Sequence, residues 1–296
     1  MGERKNLPVK SDVVFRMLFA DEKNVDLLTG FLKSVLRLPE DEYSDIVITD
    51  PYLLPEYAGE KLAIIDVKLH TKSHKIIHIE IQLHVTPEMR ERIVFYDAKL
   101  VTEQLGSGGK YYAIQKVISI IITDEDLIPN SPGYHHRFVF YDSEAGVEFT
   151  DIIEIHTLEL RKLPERDDGT ELYDWAKFIA AESEEELEMV VEMNPQMRKA
   201  VVKLQELSVD ERARDLYERR EKALRDIDSR ERWARAEGKA EGKAEGKAEG
   251  RAEGKAEGKA EGKAEGKAEE REIWQNVVAD KDSEIARLRE QLTKEK

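Results

Sequence analysis

The stretch IIDVKLHTKSHKIIHIEIQLH, Ile64 to His84, limits the fold more than any other part of the chain. Two runs in which aliphatic and polar residues alternate flank a short TKSH connection, the signature of two strands joined by a tight turn. In a strand, residues i and i+2 point the same way. His78, Glu80, Gln82 and His84 therefore share one face of a strand over Lys75 to Leu83, opposite Ile77, Ile79, Ile81 and Leu83. In the preceding strand, Leu62 to His70, the residues Ile64, Asp66, Lys68 and His70 share a face opposite Ile65, Val67 and Leu69. Paired as neighbours, the two strands bring Asp66 and Glu80 to the same side of the sheet.

Two carboxylates held that way suit a hard cation. Magnesium, or manganese or calcium in its place, takes oxygen ligands and keeps several waters. Such an ion polarises a phosphoryl oxygen and lowers the pKa of a bound water. Gln82 could orient that water or bond the scissile phosphate, Lys68 could meet negative charge, and Lys72 and Lys75 by the turn could position a phosphate backbone. The same alternation also describes any solvated face of an antiparallel sheet. His70, His78 and His84 with Glu80 offer a zinc alternative, but strand spacing lacks the helical H-E-x-x-H geometry.

The flanking sequence supplies the remaining elements. Val14, Phe15, Leu18, Phe19, Leu27, Leu28, Phe31, Leu32 and Val35 recur at helical spacing between Ser11 and Leu36, broken near Asp21 to Asn24. Ile46 to Thr49 reads as a first strand, making a three-stranded meander. Pro87 suits the first turn of a helix that runs through Arg92, Tyr96 and Leu100 to about Leu105, where GSGG stops it. KVISIIIT follows as a buried strand, and His136 to Tyr141 with Glu148 to Leu158 reads as a hairpin. GSGG lacks the Lys-Ser/Thr of a phosphate-binding loop. The order is an αβββαβ core.

Charge and composition narrow the function. A net charge of -16 argues against binding nucleic acid by bulk attraction, though a metal-dependent phosphodiester enzyme keeps an acidic site. There is no cysteine, hence no disulfide framework and no thiolate chemistry, which fits a reducing cytoplasm. MGERKNLPVK carries no apolar leader and no run suits a membrane helix, so the expectation is an unsecreted, cytoplasmic protein.

Four regions follow from composition: 1–165, an α/β domain; 166–235, a charged helical extension; 236–267, a low-complexity repeat; and 268–296, a helical tail containing the heptad-like EIARLREQL. The repeat is eight copies of Ala-Glu-Gly-(Lys/Arg). Like charges stack at i,i+4, opposite charges never meet at i,i+3 or i,i+4, and each glycine costs about 1 kcal/mol against alanine. A frayed helix or spacer is one reading, a close-packed oligomerisation arm the other.

The segments SDVVFRMLF, LLTGFLKSVL, IIDVKLHTKSHKIIHIEIQ and YDAKLVTEQLGSGGKYYAIQKVISIIIT, with YDWAKFIAAE and DLYERREKALRD further on, resemble the Rpn family of recombination-promoting nucleases and transposases. That family is a branch of the PD-(D/E)XK nuclease superfamily, and the resemblance runs from about Ser11 to Glu237. It implies a restriction-endonuclease-like fold and metal-dependent DNA cleavage. Asp66 would be the first metal ligand and Glu80 the second acid. Gln82 would stand where most of the superfamily has lysine, which leaves open what activates water. Asp12 matches the helix-start acid that binds or supports the metal, and it also suits a first-turn acid. Tyr96 and Gln104 match positions near the site, and packing explains Tyr96 equally well.

The expectation is therefore a Mg²⁺-dependent DNA endonuclease, α/β and restriction-endonuclease-like, with a helical C-terminal extension that is a means of homo-oligomerisation. The alternatives are a non-cutting interaction protein on the same fold, or a defence or toxin nuclease with the same site.

Overall fold

The computed structural model describes residues 6–49, 52–53, 63–64, 66–106 and 108–294. Its residues fall into two units, Met1–Lys222 and Ala223–Lys296.

The first unit is built on a six-stranded sheet. The helices α1 (Asp12–Phe19) and α2 (Val25–Val35) lead into β1 (Val47–Thr49), and a small pair of strands, β2 (Tyr52–Leu53) and β3 (Ala63–Ile64), precedes β4 (Val67–His70) and β5 (Ile76–Gln82). Helix α3 (Met89–Thr102) then crosses to β6 (Val117–Thr123), and a hairpin of β7 (His135–Asp142) and β8 (Val147–Glu159) completes the sheet. The strand order is β1-β4-β5-β6-β8-β7. β1, β4 and β5 form an antiparallel meander, while β6 lies parallel to both β5 and β8. The α3 crossover is what a parallel β5–β6 pair requires.

Alternation along β5 and β6 divides the core into two layers. Ile77, Ile79 and Ile81 join Ile118, Ile120 and Ile122, Val67 and Leu69 in one buried cluster with Phe15, Phe19, Phe31, Leu28 and Leu32 of α1 and α2. The helices α4 (Glu171–Ala180), α5 (Glu184–Met193) and α6 (Arg198–Val209) add Trp175, Phe178, Leu187, Val190 and Leu204 to the same cluster. On the other face, Ile76, Val117 and Leu100 make one small cluster, and Met89, Ile93, Ile121 and Leu127 a second. Helix α3 thus covers the face that carries His78, Glu80 and Gln82.

The α/β class and the αβββαβ order expected from the sequence are present, with three differences in detail. First, the strand expected over Leu62 to His70 is interrupted: β3 pairs with β2 in a separate sheet, and the main-sheet strand begins only at Val67. Leu62 and Ile65 of that expected strand lie outside the described residues. Second, α3 ends at Thr102 rather than near Leu105, so Gln104 lies beyond it. Third, the last helix, α7 (Glu211–Lys294), passes unbroken through the whole repeat instead of yielding a spacer. Its first turn is already held, with Ala213 buried in the core and Tyr217 packed beside it. Propagating a nucleated helix adds one hydrogen bond per residue, which offsets the glycine penalty. The second unit is the remainder of α7.

Candidate functional site: a carboxylate pair beneath α3

β4 and β5 pair in antiparallel register, with Val67 opposite Ile79 and Lys68 opposite His78. One further step along the ladder sets Asp66 across from Glu80. The ladder stops at Val67, however, and Asp66 sits in a bend just before it. Its Oδ2 accepts the Ile81 N–H at 2.8 Å, filling the place of the strand partner that β4 does not provide. The carboxylate is thereby fixed against the strand that carries Glu80.

Both acids resist ionisation. Burial pushes the Asp66 carboxyl up to about 7; the Ile81 hydrogen bond opposes this, and the negative charges of Glu80 and Asp12 add to it, with Arg16 in partial relief. Glu80 is only 7% exposed, and burial raises its pKa too, offset by His78 and Arg92 and reinforced by Asp97. Its Oε1 is buried with no hydrogen-bond partner among the described residues. A buried acceptor without a donor is costly, and a cation supplies what this one lacks. Among the described residues no group of three or more His, Asp or Glu side chains is placed to hold a metal. The protein's share of a metal site here is two carboxylates, a hard oxygen set that fits Mg²⁺ or Mn²⁺ with water or substrate filling the other positions.

The remaining expected residues divide by position. Gln82, two residues along the same face, accepts a hydrogen bond from Arg92 Nη2 through Oε1 at 3.3 Å. Tyr96, half-buried on α3 beside Ile76, Leu100 and Val117, has its phenol pKa raised by burial and by the charge of Glu80. Asp12 is a first-turn acid of α1; Oδ1 accepts Val13 N–H at 2.8 Å and Oδ2 pairs with Arg220 at 2.5 Å. It reaches Asp66 through its charge. Lys68 is half-buried opposite His78.

Other expected contacts lie away from the acids. Lys75 precedes Glu80 by five residues, about 16 Å along a strand. Its ammonium bonds Glu42, which also accepts from Thr71 and Ser73. Burial would raise the pKa of Glu42, but these bonds outweigh it and hold the carboxyl down to about 2. Lys72 lies 3.5 Å from Asp41. These lysines clasp the β4–β5 turn at the far end of the strands. Gln104 is likewise occupied, bonding the backbone of Leu100 and both backbone groups of Gln115. The histidines are not gathered for zinc: His84 is exposed and bonds Glu125, while His78 is buried in another network.

That network went unseen in the sequence. His78 Nε2 lies 2.7 Å from Asp97 Oδ1 and 2.7 Å from Ser119 Oγ, and Ser119 also bonds Asp97. Serine, histidine and aspartate here are no nucleophilic triad, since serine and aspartate meet the same ring nitrogen and all three are sealed from solvent. They tie α3 to β5 and β6. An aspartate in the apolar stripe Met89, Ile93, Leu100 was the available signal.

A mixed sheet that presents one buried and one half-buried carboxylate where adjoining strands meet, under a crossover helix, defines the class of restriction-endonuclease-like nuclease folds. A family model described as PD-(D/E)XK nuclease family transposase matches residues 9–232, and the chain belongs to that family. Comparisons with curated proteins and with solved structures find no match. No helix among the described residues is long and apolar enough to cross a membrane.

Proposed function

We propose that this protein is a metal-dependent DNA endonuclease that hydrolyses phosphodiester bonds, in the service of recombination or transposition-like DNA exchange. The observation that carries the reading is the pair Asp66 and Glu80: largely buried, both reluctant to ionise, one with an unmatched oxygen. Membership of a nuclease family supports it independently. Asp66 and Glu80 would hold the ion, with Asp12 in support. A divalent ion there would polarise the phosphoryl oxygen and supply a water of lowered pKa. Gln82 borders the substrate position and Tyr96 flanks it from α3. Lys68 remains a candidate for DNA contact, whereas the ion pairs of Lys72 and Lys75 suit them better to holding the turn.

The chain also has the means to self-associate. Exposed Ile273, Trp274, Val277, Val278 and Ile285 lie along the second unit. Trp274, Val278, Lys281, Ile285, Leu288 and Leu292 alternate at four and three residues, a heptad seam. Val278, Ile285 and Leu292 take one core position and Trp274, Lys281 and Leu288 the other, a seam on which a second copy can pack. Two protomers would bring two single-strand cuts together.

The test is conversion of supercoiled plasmid to nicked circles by purified protein with Mg²⁺ or Mn²⁺. Nicking that EDTA abolishes supports the proposal; intact plasmid under every metal refutes it.

A further inference from the structure

Hydrolysis of a phosphodiester builds negative charge on the phosphoryl oxygens, and a site made of two carboxylates must draw positive charge from somewhere besides the ion. Gln82 brings none. Several lysines of the first unit are committed to ion pairs: Lys75 to Glu42, Lys72 to Asp41, Lys116 to Asp151 and Glu154, and Lys10 to Asp124 and Glu182. The charge of Lys68 is felt at His70, and that of Arg16 at Asp66. Arg92 differs. It reaches from α3 to the face of Glu80 and Gln82, and its Nη2 donates to the neutral Gln82 Oε1 at 3.3 Å. Its charge acts on both Glu80 and Tyr96.

Among the described residues, the buried Arg92 Nε has no acceptor and the buried Glu80 Oε1 has no donor. A structural ion pair would satisfy one with the other. Here the two unmatched atoms are of opposite character, and the guanidinium that carries one of them is held by Gln82, two residues along the strand from the other, and acts on it through its charge. Such an arrangement suits a ligand in two parts: a cation for the carboxylate and an anion for the guanidinium, whose planar donors match phosphate.

We propose that Arg92 is a catalytic residue of the hydrolysis, its guanidinium binding a non-bridging oxygen of the scissile phosphate and stabilising the charge that gathers there. The inference rests on the endonuclease reading above. As the oxygen of water bonds to phosphorus, the bond from phosphorus to the leaving sugar oxygen breaks and that oxygen keeps the electron pair. The attacking water loses a proton to solvent, and the leaving oxygen takes one from solvent. Arg92 stays protonated throughout. Gln82 is then a positioning residue that holds the guanidinium.

The experiment compares single-turnover nicking by the full-length wild type, Arg92→Ala, Arg92→Lys and Arg92→Gln, with DNA affinity measured in Ca²⁺ and folding checked by thermal melting. Arg92→Ala and Arg92→Gln are expected to lose roughly 100-fold or more in rate, as when one transition-state donor is removed, with affinity changed by no more than about 3-fold. Arg92→Lys should retain more activity than either. Added guanidinium should restore Arg92→Ala but not Asp66→Ala, a rescue that a packing role would not give. Full activity in either uncharged variant overturns the proposal, as does a rate loss matched by an equal loss of affinity and immune to guanidinium. Should Arg92→Ala fail to melt cooperatively, Arg92→Gln, which is close in length, decides alone. A wild type that nicks beside unaffected Arg92 variants refutes this inference only; a wild type that leaves the plasmid intact under every metal refutes the endonuclease reading and this inference together.

Discussion

Asp66 binds its proton more tightly in the folded protein than in the unfolded chain, because burial and the charges of Glu80 and Asp12 oppose the anion. A folded pKa of about 7 against an ordinary 3.8 fixes the sign of the linkage. The stability it contributes in metal-free protein is fully present below the unfolded value and is lost as pH rises through 7, on the order of 3–4 kcal/mol in all. Asp66→Asn removes the titrating group, so in EDTA its melting temperature should exceed that of the wild type at pH 8 and approach it at pH 4. Melting curves across that range check this, and parallel pH profiles would contradict it. Mn²⁺ should stabilise the wild type at pH 8 and leave Asp66→Asn unmoved. The site therefore trades stability for readiness to bind a cation.

At the scale of elements, the position of α3 decides what the carboxylates meet. Its buried Asp97 grips His78 of β5 and Ser119 of β6. Asp97→Ala would strand two buried polar partners and should cost about 3 kcal/mol, read as a lower denaturation midpoint. It should also reduce nicking in protein that remains folded, because Arg92 and Tyr96 ride on the same helix; unchanged stability would show that the network does not anchor α3. Much of this layer was legible in the sequence. The two-residue period of β5 assigns His78, Glu80 and Gln82 to one face, and the short turn sets Asp66 near Glu80. What escaped depends on tertiary register. The late start of β4 turns Asp66 into a cap for Ile81 N–H, which strand alternation does not reveal. Spacing on a weakly patterned helix does not show that Arg92 reaches Gln82; that contact depends on Asp97, bonded 19 and 22 residues away in sequence, which fixes the helix over the sheet. Lys72 and Lys75 lie by the turn as their sequence places them, but their pairing with Asp41 and Glu42 is tertiary and does not show in strand alternation. Gln104 was placed by helical spacing that the end of α3 interrupts.

For the whole molecule, the proposed chemistry and the proposed self-association fall in different units. The core, the carboxylate pair and α3 all lie within Met1–Lys222, while the second unit carries the exposed Trp274, Val278 and Ile285 of the heptad pattern. A chain ending at Lys222 should fold and nick as a monomer, and the full chain should sediment as a dimer at micromolar concentration. Equal sedimentation behaviour of both, after allowance for mass, would remove the self-association proposal and leave the site untouched. The central claim, that Asp66 and Glu80 together form a metal-dependent hydrolytic site, is tested most directly by plasmid nicking in Mg²⁺ or Mn²⁺ with wild type, Asp66→Ala and Glu80→Ala, each shown by melting to be folded. The wild type should nick in a metal-dependent way and both variants should lose that activity. Nicking that survives either substitution would contradict the claim.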